Sequence, residues 1–390
     1  MNWVEKESPP FTRFGRVCLG VGIVSLALSS LAALSEPQQF LRSYLVAYFF
    51  WVAVPLGSLA LLMIHHLVHG RWGHAVRRIL EAACRTLPIL LVLFLPIAGG
   101  LKRLSVSADL ETAVSEQLID QGGLHLVQGA FLAQIAVCFV VWIVLESLLT
   151  QASARLDQSG DPRWARLLQR VSGPGLVAYV LTSSIAASDW GMWLDPRLNS
   201  TICGLSSIVG QGLAALAFAI IVLHLHSEAP ELRTATSPDC FHDLGNLLLA
   251  FVVLWAYVSF SQLLIIGSAD LPGEARWSMQ RLAQGWQWVA FLLLLLHFVV
   301  PSAILLAPQA KRRAQVLASV ALALLAMRYV DIFSIVVPTF HPKGLILHWL
   351  DVSTLIGIGG LWVASFTRGL GRRPLFSIGV AVTKAVMSND

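Results

Sequence analysis

Charged residues are scarce in this chain. Only 13% of its 390 residues are Asp, Glu, Lys or Arg, whereas 56% are hydrophobic. Soluble globular proteins carry about 25% charged residues. This shortage excludes an ordinary soluble fold of the same length, and in such a chain the net charge of +5 does not indicate binding to nucleic acid.

Motifs that bind cofactors or nucleotides are also missing. The cysteines stand singly and form no CxxC or CxxCH motif; they are Cys18, Cys84, Cys138, Cys203 and Cys240. Without such motifs the chain by itself cannot hold an iron–sulfur cluster or covalently attached haem. The phosphate-binding pattern GxxxxGK[ST] is absent too, which excludes ATP-driven transport by this chain. We therefore expect no cofactor bound by this chain alone.

What the sequence has instead is ten long apolar runs. They cover residues 14–34, 44–67, 86–100, 127–149, 171–190, 201–225, 244–266, 286–306, 314–337 and 349–367, and the third extends back through Arg85 toward Ile79. A helix needs roughly 20 residues to cross the apolar core of a membrane. The alternating pattern of barrel strands is absent, so each run is expected to be helical. The sequence predicts an all-α polytopic membrane protein with ten transmembrane helices.

The basic residues predict the orientation of these helices. Lys and Arg are concentrated before the first run, after each even-numbered run and at the end of the chain. Because basic residues accumulate in cytoplasmic loops, both termini are expected in the cytoplasm. The first run is longer than the apolar part of a signal peptide, and Glu5 and Glu7 precede it, so it is interpreted as a retained helix.

A weak internal repeat suggests how the helices group. Asp189 stands seven residues before Pro196, and Asp331 stands seven residues before Pro338. The second and sixth runs also both finish in histidines. These matches predict one transmembrane domain made of two four-helix bundles, helices 2–5 within 44–200 and helices 6–9 within 201–340, flanked by 1–43 and 341–390.

Polar residues inside the runs are the candidate functional residues, because a charge in the membrane interior costs a few kcal/mol and usually faces a pathway or a partner. The inner candidates are His65, His66, Arg85, Glu146, His242 and Asp243. The outer candidates are Asp189, Arg328, Asp331 and Asp351. They are expected to line two polar cavities that open to opposite faces, separated by an apolar gap near Tyr257 and His297.

Some of these residues have other interpretations. Arg328 and Asp331 are three residues apart and can form an internal ion pair with a purely structural role. His65 and His69 have the spacing of two metal ligands on one helix face, but no third ligand is near in sequence, so a metal site is not expected.

Three stretches resemble the NrfD-like membrane subunits, and most closely the second quinone-binding-like membrane protein of alternative complex III. They are PLGSLALLMIHHLVHGRWGHAVRRILEAACRTLPIL at 55–90, SDWGMWLDPRLNSTICGL at 188–205 and DLGNLLLAFVVLWAYVSFSQLLIIGSADLPGE at 243–274. The resemblance implies a noncatalytic subunit of a quinol:electron acceptor oxidoreductase in a bacterial cell membrane. It implies as partners a multihaem cytochrome c, an iron–sulfur subunit, a second NrfD-like subunit and small membrane anchors, so that haem c and iron–sulfur clusters lie in the partners.

Within that resemblance the leading interpretation is a structural subunit that carries protons through the two groups of polar residues. The first alternative is direct binding of a quinone by helices 2–5, with His125 or Asp189 as base and Tyr44 or Tyr48 as hydrogen-bond partner. The second alternative is a secondary transporter that works without partners. We also expect a second NrfD-like subunit to pack on the small residues Gly204, Gly210 and Gly212.

Overall fold

The computed structural model describes residues 9–104, 121–194, 202–227, 237–269, 278–279, 281–341 and 344–371. These residues are helical along almost their whole length, and no strand occurs among them. The first half of the chain forms α1 Pro9–Ser35, α2 Pro37–Val68, α3 Arg71–Cys84, α4 Leu87–Leu93, α5 Leu95–Leu104, α6 Gln121–Ser159 and α7 Pro162–Leu194. The second half forms α8 Ile202–Leu225, α9 Pro238–Ala269, α10 Trp286–Leu293, a π-helical turn Leu294–Val299, α11 Val300–Leu306, α12 Pro308–Arg312, α13 Ala314–Phe340 and α14 Trp349–Gly371.

Ten of these stretches are long and apolar enough to cross a membrane, which confirms the predicted all-α polytopic fold. The third span comprises α3, α4 and α5, and the eighth comprises α10, the π turn and α11. The third span begins well before the predicted run, at Trp72. Its first part, α3, is amphipathic, so its polar face interrupts the apolar pattern from which the run was predicted.

The third span is broken twice because of its prolines. Pro88 stands in the first turn of α4 and Pro96 in the first turn of α5. A proline has no amide hydrogen and its ring displaces the preceding turn, so regular hydrogen bonds are lost at each break. The Ile97 amide bonds the Phe94 carbonyl (3.0 Å) instead of the Leu93 carbonyl, which is then available to a side chain.

Helices α2 and α8 form the centre of the molecule and are its most buried spans. Gly57 of α2 lies against the backbone of Gln211 in α8, where a Cβ atom would collide with main-chain atoms. Helices α3, α7 and α13 each contact both central helices, while α9 packs on α8 and α14 packs on α2. The two predicted bundles therefore share an interface between their first helices.

Two pairs of helices lie at the periphery. Helix α1 packs chiefly against α14, with Gly22 beside Gly360, and the Ser29 and Ser353 hydroxyls share a hydrogen bond of 2.7 Å. Helix α6 packs chiefly against α7. The outward faces of these helices are rich in exposed Val, Leu and Ile, as expected for surfaces that contact lipid.

Candidate functional site

A buried ion pair lies at the centre of α13. Arg328 stands at the middle of this 27-residue helix, and its Nη1 donates to Oδ2 of Asp331, one turn further on. Both side chains are buried, with 5% and 7% of their surfaces exposed. Gly210 of α8 makes room for the guanidinium, because a Cβ atom there would overlap it. The pair keeps two opposite charges together at a depth where either alone would be strongly unfavourable.

Two aromatic side chains extend this pair toward α9 and the eighth span. Trp255 of α9 donates from its indole nitrogen to Oδ2 of Asp331 (3.1 Å). The His297 ring stacks on Trp255 with centroids 4.2 Å apart and an interplanar angle of 8°. His297 is fully buried, and neither of its ring nitrogens makes a hydrogen bond of good geometry to a described residue, although the main chain of Met327 lies near the ring.

His297 belongs to the π-helical turn of the eighth span. Residues Leu294–Val299 have the wider π geometry, which occurs mostly as single turns inside helices and often at functional sites. An unsatisfied buried polar group costs roughly 1–3 kcal/mol, so the position of His297 beside a charged pair is not explained by packing alone. His297, Trp255, Arg328 and Asp331 together are called the central cluster below.

A cavity of about 180 Å³ adjoins the central cluster. It lies between α2, α6, α7, α8, α9 and α13, and its walls are mostly aromatic and aliphatic. The aromatic wall consists of Tyr48, Phe49, Phe139, Trp142 and Trp190. Polar groups reach the cavity from Ser183, Ser206, Ser207, Gln211, Gln262 and Arg328. The cavity therefore combines an apolar body with a few polar groups.

A second buried polar pair joins α7 to α8 beside this cavity. The Tyr179 hydroxyl donates to Oε1 of Gln211 (2.5 Å), and Nε2 of Gln211 donates to the Ser207 hydroxyl (3.1 Å). Tyr179 has no exposed surface. It was not among the predicted site residues, since one tyrosine in an apolar run is ordinary, and only the contact with α8 distinguishes it.

Two residues predicted for the inner face, Glu146 and Arg85, lie within electrostatic range of each other. Glu146 of α6 is buried and accepts a hydrogen bond from Thr150 (3.1 Å). Arg85 stands at the break between α3 and α4, within electrostatic range of the Glu146 carboxylate. The thiol of Cys84 lies within range of both charges. These two predicted residues are thus parts of one inner cluster, although they belong to different spans.

A network of ion pairs joins α3 to the end of α6. Its two acids, Glu81 and Asp157, were not among the predicted site residues. Arg77 donates to Oδ1 of Asp157 (2.6 Å), and Arg78 donates to both Glu81 (3.0 Å) and Asp157. The Ser153 hydroxyl donates to the other oxygen of Glu81. Spacing within α3 could have suggested the bond from Arg78 to Glu81, but Asp157 is distant in sequence.

The histidines of the inner end are packed together. His65 and His66 are buried, and the His65 ring lies 5.4 Å from His66 and 5.0 Å from His74 between ring centroids. No group of three or more His, Cys, Asp or Glu residues in the described ranges could hold a metal ion. His242 and Asp243 are 4.0 Å apart near the start of α9, where both are partly exposed.

The outer acids lie in separate places. Asp351 at the start of α14 accepts hydrogen bonds from the Ser43 hydroxyl (2.5 Å) and the His348 amide (2.9 Å). Asp189 near the end of α7 is half-buried, and its Oδ2 has no hydrogen-bond partner within the described part of the chain. Neither Asp189 nor Asp351 contacts the central cluster through a hydrogen bond among those residues.

The apolar gap expected near Tyr257 and His297 stays a prediction, but two of its details change. Arg328 and His297 both stand near the middle of their spans, so the group that includes Arg328 reaches further along its helix toward the expected gap than predicted. Arg328 and Asp331 were expected toward the outer face, but their mutual neutralisation allows them to lie deeper. Tyr257 does not separate the groups, because its side chain is 66% exposed on the outside of the bundle.

Three of the four residues expected to bind a quinone have side chains within the described part of the chain. The Tyr44 hydroxyl donates to the Leu93 carbonyl (2.7 Å) and the Tyr48 hydroxyl to the Leu90 carbonyl (3.1 Å), which satisfies groups around the break between α4 and α5. Only the Tyr48 side chain lines the cavity. The side chain of His125 lies outside the described part of the chain.

The three glycines expected at a contact between subunits lie inside this chain instead. A Cβ atom at Gly204 would meet Ser184 of α7, one at Gly210 would meet Arg328, and one at Gly212 would meet Phe251 of α9. Helix α8 is central, so its small residues allow neighbours of the same chain to approach closely. The prediction that these three glycines lie at a contact between subunits is therefore wrong.

The chain matches no protein-family model and no curated protein.

Proposed function

We propose that this multi-pass membrane protein is a proton-conducting integral subunit of a quinol:electron acceptor oxidoreductase of the alternative complex III type. The observation that carries the proposal is the central cluster, in which an Arg–Asp pair and a buried histidine stand at mid-membrane. The resemblance of three stretches to NrfD-like subunits supplies the kind of assembly. The ten apolar helices support a multi-pass membrane protein. The bacterial cell membrane is proposed from the resemblance, and the cytoplasmic position of both termini from the basic residues between the apolar runs.

Asp331 is the acid of the central cluster that can exchange a proton. Its carboxylate accepts bonds from Arg328 and Trp255. If Asp331 takes up a proton, Arg328 loses its neutralising partner in a medium of low dielectric constant. Proton uptake at Asp331 and the charge of Arg328 are therefore coupled.

The inner cluster provides the opposite side of the route. Glu146 and Arg85 carry opposite charges within electrostatic range of each other, and Arg77 and Arg78 both pair with Asp157 near the end of α6. We assign His65, His66, His242 and Asp243 to the inner entrance and Asp189 and Asp351 to the outer one. This assignment follows their positions along the helices.

The test is a substitution that removes a titratable proton but keeps the shape of the side chain. Asp331→Asn and Glu146→Gln in the purified assembly, reconstituted in vesicles, are expected to lower the protons moved per electron, while quinol oxidation in detergent stays near that of the unmodified complex. Glu36→Gln is the matched control, because this glutamate is an exposed carboxylate at the start of α2. Unchanged proton translocation in both variants would contradict the proposal.

Partners are proposed to supply the redox cofactors. Mild-detergent extraction of the tagged chain is expected to bring down a c-type cytochrome and an iron–sulfur protein, whereas the chain separated from them should show no haem absorbance. A single-chain preparation that is monodisperse and transports a solute would instead support the secondary transporter.

The cavity favours one second candidate function, direct binding of a quinone. Its aromatic wall and few polar groups suit a flat apolar ring that carries oxygen atoms. Loss of quinol oxidation in Asp189→Asn or His125→Ala, with the assembly intact, would place the quinone site in this subunit and reverse the order of the two proposals.

A further inference from the structure

An open depression of about 540 Å³ lies at the inner end of α7, away from the central cluster. Its walls are formed by Asp161, Arg163, Trp164, Arg166, Leu167 and Arg170. The three arginines are spaced by three and four residues, so they share one face of the helix. Residues 171–188 contain no charged side chain, and Arg170 therefore stands at the boundary between the charged face and the membrane-spanning part of α7.

The three arginines of the depression have no acidic partner of their own. None of them forms an ion pair or a side-chain hydrogen bond with a residue that the structure describes. Asp157, at the end of α6, already pairs with Arg77 and Arg78. Asp161 holds the turn between α6 and α7, because its Oδ1 accepts a hydrogen bond from the Arg163 amide (2.8 Å). Three positive charges on one exposed face are therefore available to an anion from outside the described chain.

Trp164 and Arg155 extend this face toward α6. The guanidinium of Arg155 lies over the Trp164 ring, 4.7 Å from its centroid. The Trp164 ring packs partly against the core and also lines the depression. Tryptophan is enriched at the depth where lipid headgroups meet acyl chains. The depression thus combines arginines with an aromatic side chain that is typical of the membrane interface.

Beyond Arg170 the same face of α7 is apolar and exposed. Pro174, Val177 and Leu181 continue the spacing of four, three and four residues. Val177 and Leu181 leave 60% and 58% of their surfaces exposed. From Arg170 to Leu181 the helix rises about 16 Å, close to half of the roughly 30 Å apolar core of a membrane. The charged and the apolar part together have the length of one phospholipid in one leaflet.

We propose that the three arginines of the depression bind the phosphate group of an anionic phospholipid, whose acyl chains lie along the apolar residues from Pro174 to Leu181. Arginine suits phosphate because its planar guanidinium can donate two parallel hydrogen bonds to it. Basic pockets on the cytoplasmic side of membrane proteins bind such headgroups. A soluble acidic protein would cover only the arginines, whereas one phospholipid covers both parts of the face. The site is independent of the proton-conducting function.

The test counts the lipids bound to the purified protein in mild detergent by native mass spectrometry. Phosphatidylglycerol is the anionic probe and phosphatidylcholine the zwitterionic one. The double variant Arg166→Gln/Arg170→Gln is expected to weaken binding of phosphatidylglycerol roughly 25-fold, about fivefold for each arginine. The matched control is Arg13→Gln/Arg313→Gln, which removes two exposed arginines of the inner face outside the depression. Its affinity for phosphatidylglycerol should stay near that of the unmodified protein.

The other outcomes would overturn the lipid site. An equal loss in the control, or equally tight binding of phosphatidylcholine, would show that general charge or detergent exchange governs the binding. Displacement of phosphatidylglycerol by an equal concentration of inorganic phosphate would assign the arginines to a soluble anion. Loss of a copurifying subunit from the double variant, with lipid binding unchanged, would assign the face to a protein partner. Should the double variant fail to assemble, Arg163→Gln alone decides, with an expected loss of about fivefold and unchanged affinity as the contrary result.

Discussion

Single polar side chains inside this protein are stabilised by partners that the sequence places far away. Asp331 binds Trp255 of another span, and Tyr44 bonds a carbonyl around a proline break. Arg328 and Asp331 could be predicted from the sequence as a possible pair because their spacing is local. Trp255 and Tyr179 could not, since nothing in their local sequence shows what another helix brings near them.

The pair of Arg328 and Asp331 predicts a strongly non-additive effect on stability. Arg328→Leu or Asp331→Leu alone leaves one buried charge without its partner, which costs about 3–5 kcal/mol. The double substitution removes both charges and is expected to be much less destabilising than either single one. Thermal unfolding of the purified protein in detergent measures the loss of stability in the two single variants and in the double variant. Additive effects would show that the two charges do not interact.

At the scale of helices, apolar runs were sufficient to predict ten spans, because nearly every run reaches the length that a membrane requires. The breaks in the third span were recognisable in principle from Pro88 and Pro96, although the apolar run continues through both. The π turn around His297 has no such signal, because its residues are as apolar as those of the helices beside it.

The contact between α2 and α8 predicts a sharp difference between two glycines. In Gly57→Ala the new methyl group would meet the backbone of Gln211, which cannot rotate away, so we expect a loss of about 1–3 kcal/mol or more. Gly20→Ala is the control, since nothing lies within 4 Å of its Cβ position and alanine favours a helix. Unfolding temperatures in detergent compare the two variants. Equal stability would contradict the tight approach of α2 to α8.

For the whole molecule, the sequence predicted the number of helices but not their neighbours. The weak repeat around Asp189 and Asp331 suggested two bundles. Ala186 stands three residues before Asp189 and Arg328 three residues before Asp331, and both Ala186 and Arg328 line the cavity. The sequence did not show that α2 and α8 would be central, because packing between distant helices depends on shape. For the same reason, the sequence could not show that Gly204, Gly210 and Gly212 contact helices of this chain and not a partner subunit.

The distribution of basic residues predicts the orientation of the whole molecule. A reporter fused after Asp390 is expected to be active only if it functions in the cytoplasm, because Lys and Arg mark the cytoplasmic loops. A fusion in the 270–277 segment, between the seventh and eighth spans, should behave in the opposite way. Activity of a periplasmic reporter after Asp390 would invert the assignment of inner and outer clusters.

The close contact of α1 with α14 has a consequence for biosynthesis. Helix α1 enters the membrane early, but Gly360, which its Gly22 contacts, is translated only after all the other spans. Until then the glycine-bearing face of α1 is covered by lipid or by another protein. In a nascent chain that stops before Trp349, the face of α1 around Gly22 therefore lacks the helix that covers it in the full structure.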